Sequence, residues 1–221
     1  MQKTLSLFDT TIAKKAVMAV TGVVLYGFVI VHMLGNLQVF LGPAQLNGYA
    51  ASLKASPPLL WGVRSLLLGS VLLHIAAAVS LISTTAGARQ TRYKIREYRT
   101  TNAAALSMKY GGFALLAFIV FHLLHFTAPG IGFGVYKHSH TDVYANVVAA
   151  FSLWYVVAIY VIAQICLGLH LYHGAWSLFQ TLGLSHPRYD RIRNIVPKGI
   201  GLGVAGGNIL IALSVFAGIV R

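Results

Sequence analysis

Apolar residues along this chain form five long runs, without the alternation of a strand or the narrow stripe of a surface helix. The runs cover approximately residues 17–41, 61–86, 109–128, 147–179 and 199–220. A helix needs roughly 20 apolar residues to cross the hydrocarbon core of a bilayer. The pattern therefore predicts an all-α, polytopic membrane protein with five transmembrane helices in a bundle. Little chain remains between the runs, so we expect residues 1–221 to form a single domain.

Composition agrees with this class, since 57% of the residues are hydrophobic, 10% are charged, and the mean hydropathy is +0.73. Lys14 and Lys15 precede the first run as in a signal peptide, but the run continues to about Leu41 without a cleavage pattern. We therefore expect a retained first helix. The single cysteine, Cys166, excludes an intramolecular disulfide.

The 17 lysines and arginines alternate between the two sides of the predicted bundle. By the positive-inside rule this places the N-terminus in the cytoplasm and the C-terminus outside, which accounts for the net charge of +13 without a nucleic-acid partner. The cytoplasmic side carries thirteen: Lys3, Lys14, Lys15, Arg89, Arg92, Lys94, Arg96, Arg99, Lys109, Arg188, Arg191, Arg193 and Lys198. The outer side carries four: Lys54, Arg64, Lys137 and Arg221.

Four of the nine histidines lie deep inside four different runs: His32, His74, His122 and His170. An ionisable side chain in hydrocarbon is costly and usually binds or moves something. Because imidazole is a common axial ligand of haem iron, four histidines on four helices predict two haems with two ligands each.

Depth in the bilayer predicts which histidines share an iron. Counted from the outer ends of the runs, the two pairs differ in depth by roughly 15 Å, and counted from the inner ends by only about 4 Å. In both counts His32 and His122 lie toward the outside, and His74 and His170 toward the cytoplasm. We therefore predict an outer pair and an inner pair.

Three further residues are candidate neighbours of these cofactors. His125 and His173 each follow a predicted ligand by three residues and share roughly its face. Depth does not decide which histidine of each pair binds iron; the other contacts a haem propionate or a quinone, or packs in the core. Arg64 is a candidate propionate partner by its position, or it extends to the outer interface.

Protons have no carboxylate path through the spans, because the four acids Asp9, Glu97, Asp142 and Asp190 all lie outside them. At the outer face His125, His138, His140 and Asp142 are candidates for a proton relay. For the last three, a solvated polar loop explains the sequence equally well, and His138 and His140 alone are weak evidence for a metal site.

Helix packing and helix ends also have sequence signals. Gly199, Gly203 and Gly207 recur every four residues, which predicts a small-residue packing face on the fifth span. The fourth span is long, so we expect its C-terminal turns to project beyond the bilayer. Pro187 and Pro197 are expected to bracket the last cytoplasmic loop.

Several motifs make nearly the whole chain resemble a known family, the single-polypeptide, five-helix, di-haem cytochrome b anchors of succinate:quinone oxidoreductases and fumarate reductases (complex II). The resemblance rests on the segments 14–22 (KKAVMAVTG), 32–37 (HMLGNL) and 170–176 (HLYHGAW), together with His74 and His122. In that family the first helix pairs with the third and the second with the fourth. The resemblance thus favours His122 over His125 and His170 over His173 as ligands.

The resemblance also implies a role. Such a chain binds two b haems, lies in the bacterial cytoplasmic membrane, and does not itself contact succinate. It docks an iron–sulfur subunit with a FAD-containing flavoprotein beyond it, and passes electrons from this tricarboxylic acid cycle enzyme to membrane quinone. Two alternatives stay open: the di-haem anchor of a hydrogenase or formate dehydrogenase, and a transporter or assembly scaffold without haem.

Overall fold

A computed structural model describes residues 10–88, 103–127 and 136–221 of the chain. These ranges are helical and contain no strand. The α-helices are α1 (Thr11–Asn36), α2 (Pro43–Lys54), α3 (Pro57–Gly87), α4 (Ala103–His122), α5 (Val143–Phe151), α6 (Trp154–Thr181) and α7 (Asp190–Phe216). Short 3₁₀ turns follow α1 and precede α7, and a π-helical turn, Leu123–Thr127, continues α4.

Five helical segments of the described chain are long and apolar enough to span a membrane, which confirms the predicted all-α, multi-pass class. They are Thr11–Leu41, Pro57–Thr85, Ala104–Thr127, Trp154–Thr181 and Pro187–Phe216. The orientation of the chain across the bilayer stays a prediction. Of its basic residues, Lys3, Arg89, Arg92, Lys94, Arg96 and Arg99 lie outside the described ranges.

The first two spans are bounded by residues suited to helix ends. The Thr10 side chain accepts a hydrogen bond from the Ala13 amide and so caps α1. At the far end Gly42 has φ +93°, a left-handed value that glycine adopts without steric cost. Pro43 and Pro57 are the first residues of α2 and α3, where the missing N–H costs no helical hydrogen bond.

The last two spans differ from the sequence prediction. The excess length of the fourth run lies at its N-terminal end, where α5 stops at Phe151 and the separate α6 starts at Trp154. The fifth helix starts nine residues earlier than predicted, and Pro197 lies buried inside α7 instead of closing a loop. A proline within a helix removes only one backbone hydrogen bond directly, and here its ring is packed in the interior.

The closest helix packing joins α6 to α7, but through different glycines from those predicted. A Cβ on Gly201 would lie 2.6 Å from the Gly168 carbonyl oxygen, so the two backbones touch at this point. Gly199 and Gly203 have open space where a Cβ would be, and Gly207 faces Met33 of α1. The predicted face of Gly199, Gly203 and Gly207 is therefore wrong, because successive positions four apart rotate around the helix.

Within the described ranges the next most extensive packing joins α1 to α3 and α4 to α6, with smaller contacts of α1 with α6 and α7 and of α2 with α5. Neither α1 with α4 nor α3 with α6 packs extensively along its length. Side chains from these non-adjacent helices nevertheless meet at two levels, and both meeting points consist of histidines.

Candidate functional site: two interhelical histidine pairs

The outer pair joins α1 to the last residue of α4. The ring centres of His32 and His122 are 5.8 Å apart, and their planes are nearly perpendicular at 86°. Two imidazoles that each bind one metal ion at about 2 Å have ring centres about 6 Å apart, since each centre lies about 1 Å behind its nitrogen. This separation fits two axial ligands of one iron.

The inner pair joins α3 to α6 in the same way. The ring centres of His74 and His170 are 6.2 Å apart, with planes inclined by 58°. The structure thus brings together the same two pairs that depth and the family resemblance predicted. Iron binding by them stays a prediction.

Two hydrogen bonds between helices show how far apart the two histidine pairs lie along the bundle axis. The Thr21 hydroxyl of α1 lies 3.1 Å from His74, and Thr21 precedes His32 by eleven residues. The Tyr160 hydroxyl of α6 lies 3.1 Å from His122, and Tyr160 precedes His170 by ten. At 1.5 Å per residue the two pairs lie about 15 Å apart along the bundle. The structure therefore supports the count made from the outer helix ends.

Hydrogen bonds to Nδ1 orient two of the four rings. The Thr21 hydroxyl donates to the Val17 carbonyl at 2.7 Å, so its oxygen accepts from the Nδ1–H of His74. A histidine that binds a metal normally donates its other N–H in this way. Nε2 of His74 is then left for the space shared with His170.

The residues fit two haems in most respects. The donor sets are two imidazoles each. Nδ1 of His170 is buried without a hydrogen-bond partner among the described residues, so His170, unlike His74 and His122, lacks an acceptor that orients its ring when Nε2 binds iron. One contact requires rearrangement, because the Asn36 amide lies 3.1 Å from His32 Nε2. Binding iron through this nitrogen requires the Asn36 side chain to turn away.

The three further candidates occupy different surroundings. His125 is 4% exposed and lies in the π-helical turn, a feature that is frequent at functional sites. His173 is half-buried, with its ring 6.3 Å from that of Trp176. Arg64 is exposed, with its guanidinium carbon 5.1 Å from the Trp61 ring centre. In the described part of the chain, no contact joins Arg64 to either histidine pair.

The loop residues 136–142 are tied to α2 and α5 at the end of the bundle that we call the outer end. Asp142 accepts hydrogen bonds from the Asn47 side chain and the Ala145 amide, which lower the pKa of its carboxyl group. Lys54 donates to the His140 carbonyl oxygen at 2.8 Å. Asp142 thus acts as a helix cap and a tie between elements, in agreement with the structural reading of this loop.

The rings of His138 and His140 lie side by side and are tilted by 36°, with ring centres 5.4 Å apart. Desolvation, and then the charges of His140 and Lys54, lower the pKa of His138. The described residues contain no group of three or more histidine, cysteine or acidic side chains able to hold a metal ion.

Sequence reasoning missed the tyrosines that connect these elements. The Tyr160 hydroxyl lies 3.1 Å from Nδ1 of both His122 and His125, and the Tyr136 hydroxyl donates to the His125 carbonyl oxygen. The Tyr26 hydroxyl donates to the Leu171 carbonyl oxygen and joins α1 to α6. Tyr160 lies within an apolar run at the depth of His122, and this position was the sequence signal that could have identified it.

No protein-family model matches the chain, and no curated protein and no solved structure resembles it significantly. The fold and the site by themselves define a multi-pass helical membrane protein with two interhelical histidine pairs at different depths. Any narrower function is inferred from these pairs and from the motifs around them.

Proposed function

We propose that this chain is the di-haem cytochrome b anchor of a succinate:quinone oxidoreductase. One observation carries the proposal: histidines from four helices meet as two pairs, each with its ring centres about as far apart as two ligands of one metal ion. The motifs around these histidines, with first-to-third and second-to-fourth pairing, support this class over other uses of membrane histidines.

In this proposal each of the first four membrane-spanning helices supplies one haem ligand. His32 and His122 hold the outer haem, and His74 and His170 hold the inner one. When bound, the two b haems carry single electrons between a docked iron–sulfur subunit, which receives them from a FAD-containing flavoprotein, and membrane quinone. Thr21 and Tyr160 orient the rings of His74 and His122 through Nδ1.

The helix packing is compatible with cofactors at the two histidine pairs. Neither α1 with α4 nor α3 with α6 packs extensively, so each pair joins helices that have few backbone contacts with each other. A haem between the two imidazoles would bury apolar side chains of both helices and so contribute to folding as well as electron transfer.

Haem content is the deciding measurement. We expect two b haems per chain by pyridine-haemochrome quantification of the purified complex. Changing His32, His74, His122 or His170 singly to Ala should remove one haem or prevent assembly. His186→Ala is the matched control, because His186 is exposed in the loop between α6 and α7, and this variant should keep both haems.

Because an alanine variant can fail simply by misfolding, His74→Met gives a second test. Methionine still supplies an iron ligand, and His/Met ligation raises the haem potential relative to two histidines. We expect two haems, of which one titrates at a higher potential. A well-folded complex without haem, purified with its partners, would exclude this function and favour a transporter or scaffold.

The identity of the copurifying subunits separates the redox alternatives. A flavoprotein and an iron–sulfur protein support the succinate:quinone oxidoreductase. A hydrogenase or formate dehydrogenase subunit instead would keep the two haems but overturn the proposed enzyme.

A further inference from the structure

Several polar side chains lie between the outer histidine pair and the outer end of the bundle. The Tyr160 hydroxyl stands between His122 and His125, 3.1 Å from Nδ1 of each. Tyr160 is itself 6% exposed, and its ring packs between those of Phe118 and Phe151 at 5.0 and 4.8 Å. The hydroxyl is therefore held in place by aromatic packing from two elements.

Iron binding at His122 determines the direction of these hydrogen bonds. A neutral imidazole that binds metal through Nε2 carries its proton on Nδ1 and donates it. The Tyr160 oxygen must then accept from His122, and its single O–H is left to donate to Nδ1 of His125. His125 consequently carries its own proton on Nε2.

The Nε2–H of His125 is a buried donor with no acceptor among the described residues. His138 is in the same state: its Nδ1 lies 3.5 Å from the Asn146 amide nitrogen, a donor, so its proton also belongs on Nε2, which is buried and unpartnered. The Tyr136 ring lies against both imidazoles, with ring centres 5.6 Å from His125 and 6.4 Å from His138. Two unused donors thus lie beside one aromatic ring.

We propose that Tyr160 positions His122 and makes His125 a hydrogen-bond donor, and that His125 and His138 bind the oxygen acceptor of a ligand beside Tyr136. This inference rests on the proposed function, because the direction of the hydrogen bonds follows from iron binding at His122. The acceptor is an oxygen without a proton of its own, and two sources fit: a quinone carbonyl or a propionate of the outer haem. Tyr136 supplies a flat apolar surface against which the ring that bears this oxygen can pack.

The test starts from the purified complex with two haems per chain and uses phenylalanine variants that keep a ring but remove the nitrogens. His125→Phe and His138→Phe are compared with His186→Phe, the matched control, whose histidine is exposed in the loop between α6 and α7. The measurements are the midpoint potential of each haem by spectroelectrochemistry and the affinity for a short-chain naphthoquinone by titration.

If the acceptor is a quinone carbonyl, both outer variants should bind the naphthoquinone about tenfold more weakly, the loss expected for one hydrogen bond. The potential of the outer haem should then stay unchanged. If the acceptor is a propionate, quinone affinity should stay unchanged, and the outer potential should fall because the carboxylate charge is less compensated. His186→Phe should change neither the potential of the outer haem nor the quinone affinity.

Tyr160→Phe tests the positioning role separately, with Tyr144→Phe, whose hydroxyl bonds to Arg221 at the surface, as its control. Loss of the Nδ1 acceptor makes His122 a weaker electron donor, so the outer haem potential should rise and haem affinity should fall by about 10–100-fold. If none of these variants alters the outer potential, haem affinity or quinone affinity in a complex with two haems, this inference is wrong while the proposed function stands. Absence of haem from the wild-type complex overturns both.

Discussion

At the scale of single residues, the two histidine pairs differ in the hydrogen-bond partner of Nδ1, the ring nitrogen that does not face the proposed iron. Nδ1 of His74 meets a threonine hydroxyl from α1, whereas Nδ1 of His122 meets a tyrosine hydroxyl from α6 that it shares with His125. A ligand's hydrogen-bond partner tunes its basicity and fixes its orientation. The two proposed haems would therefore differ in potential because of residues that do not touch iron.

Thr21→Val tests this at the inner pair, because valine keeps the shape of threonine and removes the acceptor of His74. We expect both haems to be present, with a shifted potential for the inner haem alone and about 10–100-fold weaker inner haem binding. Redox titration with haem-reconstitution assays measures both. Thr84→Val on α3 is the control, since that exposed hydroxyl donates to the Ser80 carbonyl of its own helix. An unshifted inner potential would contradict an orienting role.

At the scale of elements, the close contact between α6 and α7 depends on glycines, which have no side chain. Gly168 and Gly201 let the two backbones touch, and the Asn208 amide donates to Gln164 across the same interface at 3.0 Å. Close approach through small residues and interhelical hydrogen bonds are the usual means of association in lipid, where apolar surface alone gives no preference for a neighbouring helix.

Gly201→Ala should therefore destabilise the bundle, since its Cβ would lie 2.6 Å from a backbone oxygen that cannot move alone. We expect a loss of about 1–3 kcal/mol, the typical cost of overpacking, seen as a lower Tm in detergent. Gly203→Ala on the same helix has open space at its Cβ and should leave Tm nearly unchanged or slightly higher. Equal Tm values for the two variants would contradict the assignment of the packing face.

At the scale of the whole molecule, the outer end is the more elaborate. There α2, α5 and the loop 136–142 are joined by Asn47, Lys54 and Asp142, and the Tyr144 hydroxyl reaches the Arg221 carbonyl near the end of the chain. Of the eleven lysines and arginines in the described ranges, seven belong to the opposite end. We expect this basic face to be cytoplasmic and to dock the iron–sulfur subunit.

Cysteine labelling tests the orientation in a variant whose native Cys166 is replaced by Ala. Thr141→Cys and Ser185→Cys lie in exposed loops at opposite ends of the bundle. A membrane-impermeant maleimide added to intact cells should label position 141 and leave position 185 unlabelled until the membrane is opened. The reverse pattern would contradict the positive-inside assignment and place the proposed docking face outside.

The sequence by itself determined the class of this protein and the four histidines. Long apolar runs can be satisfied in a bilayer only as helices, and an imidazole within such a run costs enough free energy to indicate a role. These properties are local in the chain and need no partner to be recognised. Gly42 and Pro57, which bound the first two spans, are local signals of the same kind, whereas the short helix α2 was not predicted.

Beyond the two histidine pairs, tertiary structure alone decided the contacts between helices. Rotation around each helix axis determines that Gly201 packs on Gly168 while Gly199 and Gly203 face open space, and spacing by four could not resolve it. It also determines that one hydroxyl, that of Tyr160, serves two histidines. The depth between the pairs followed from hydrogen bonds across helices, because counts from uncertain helix ends depend on tilt. Such relations join residues far apart in the chain, and their free energy exists only once the helices have packed.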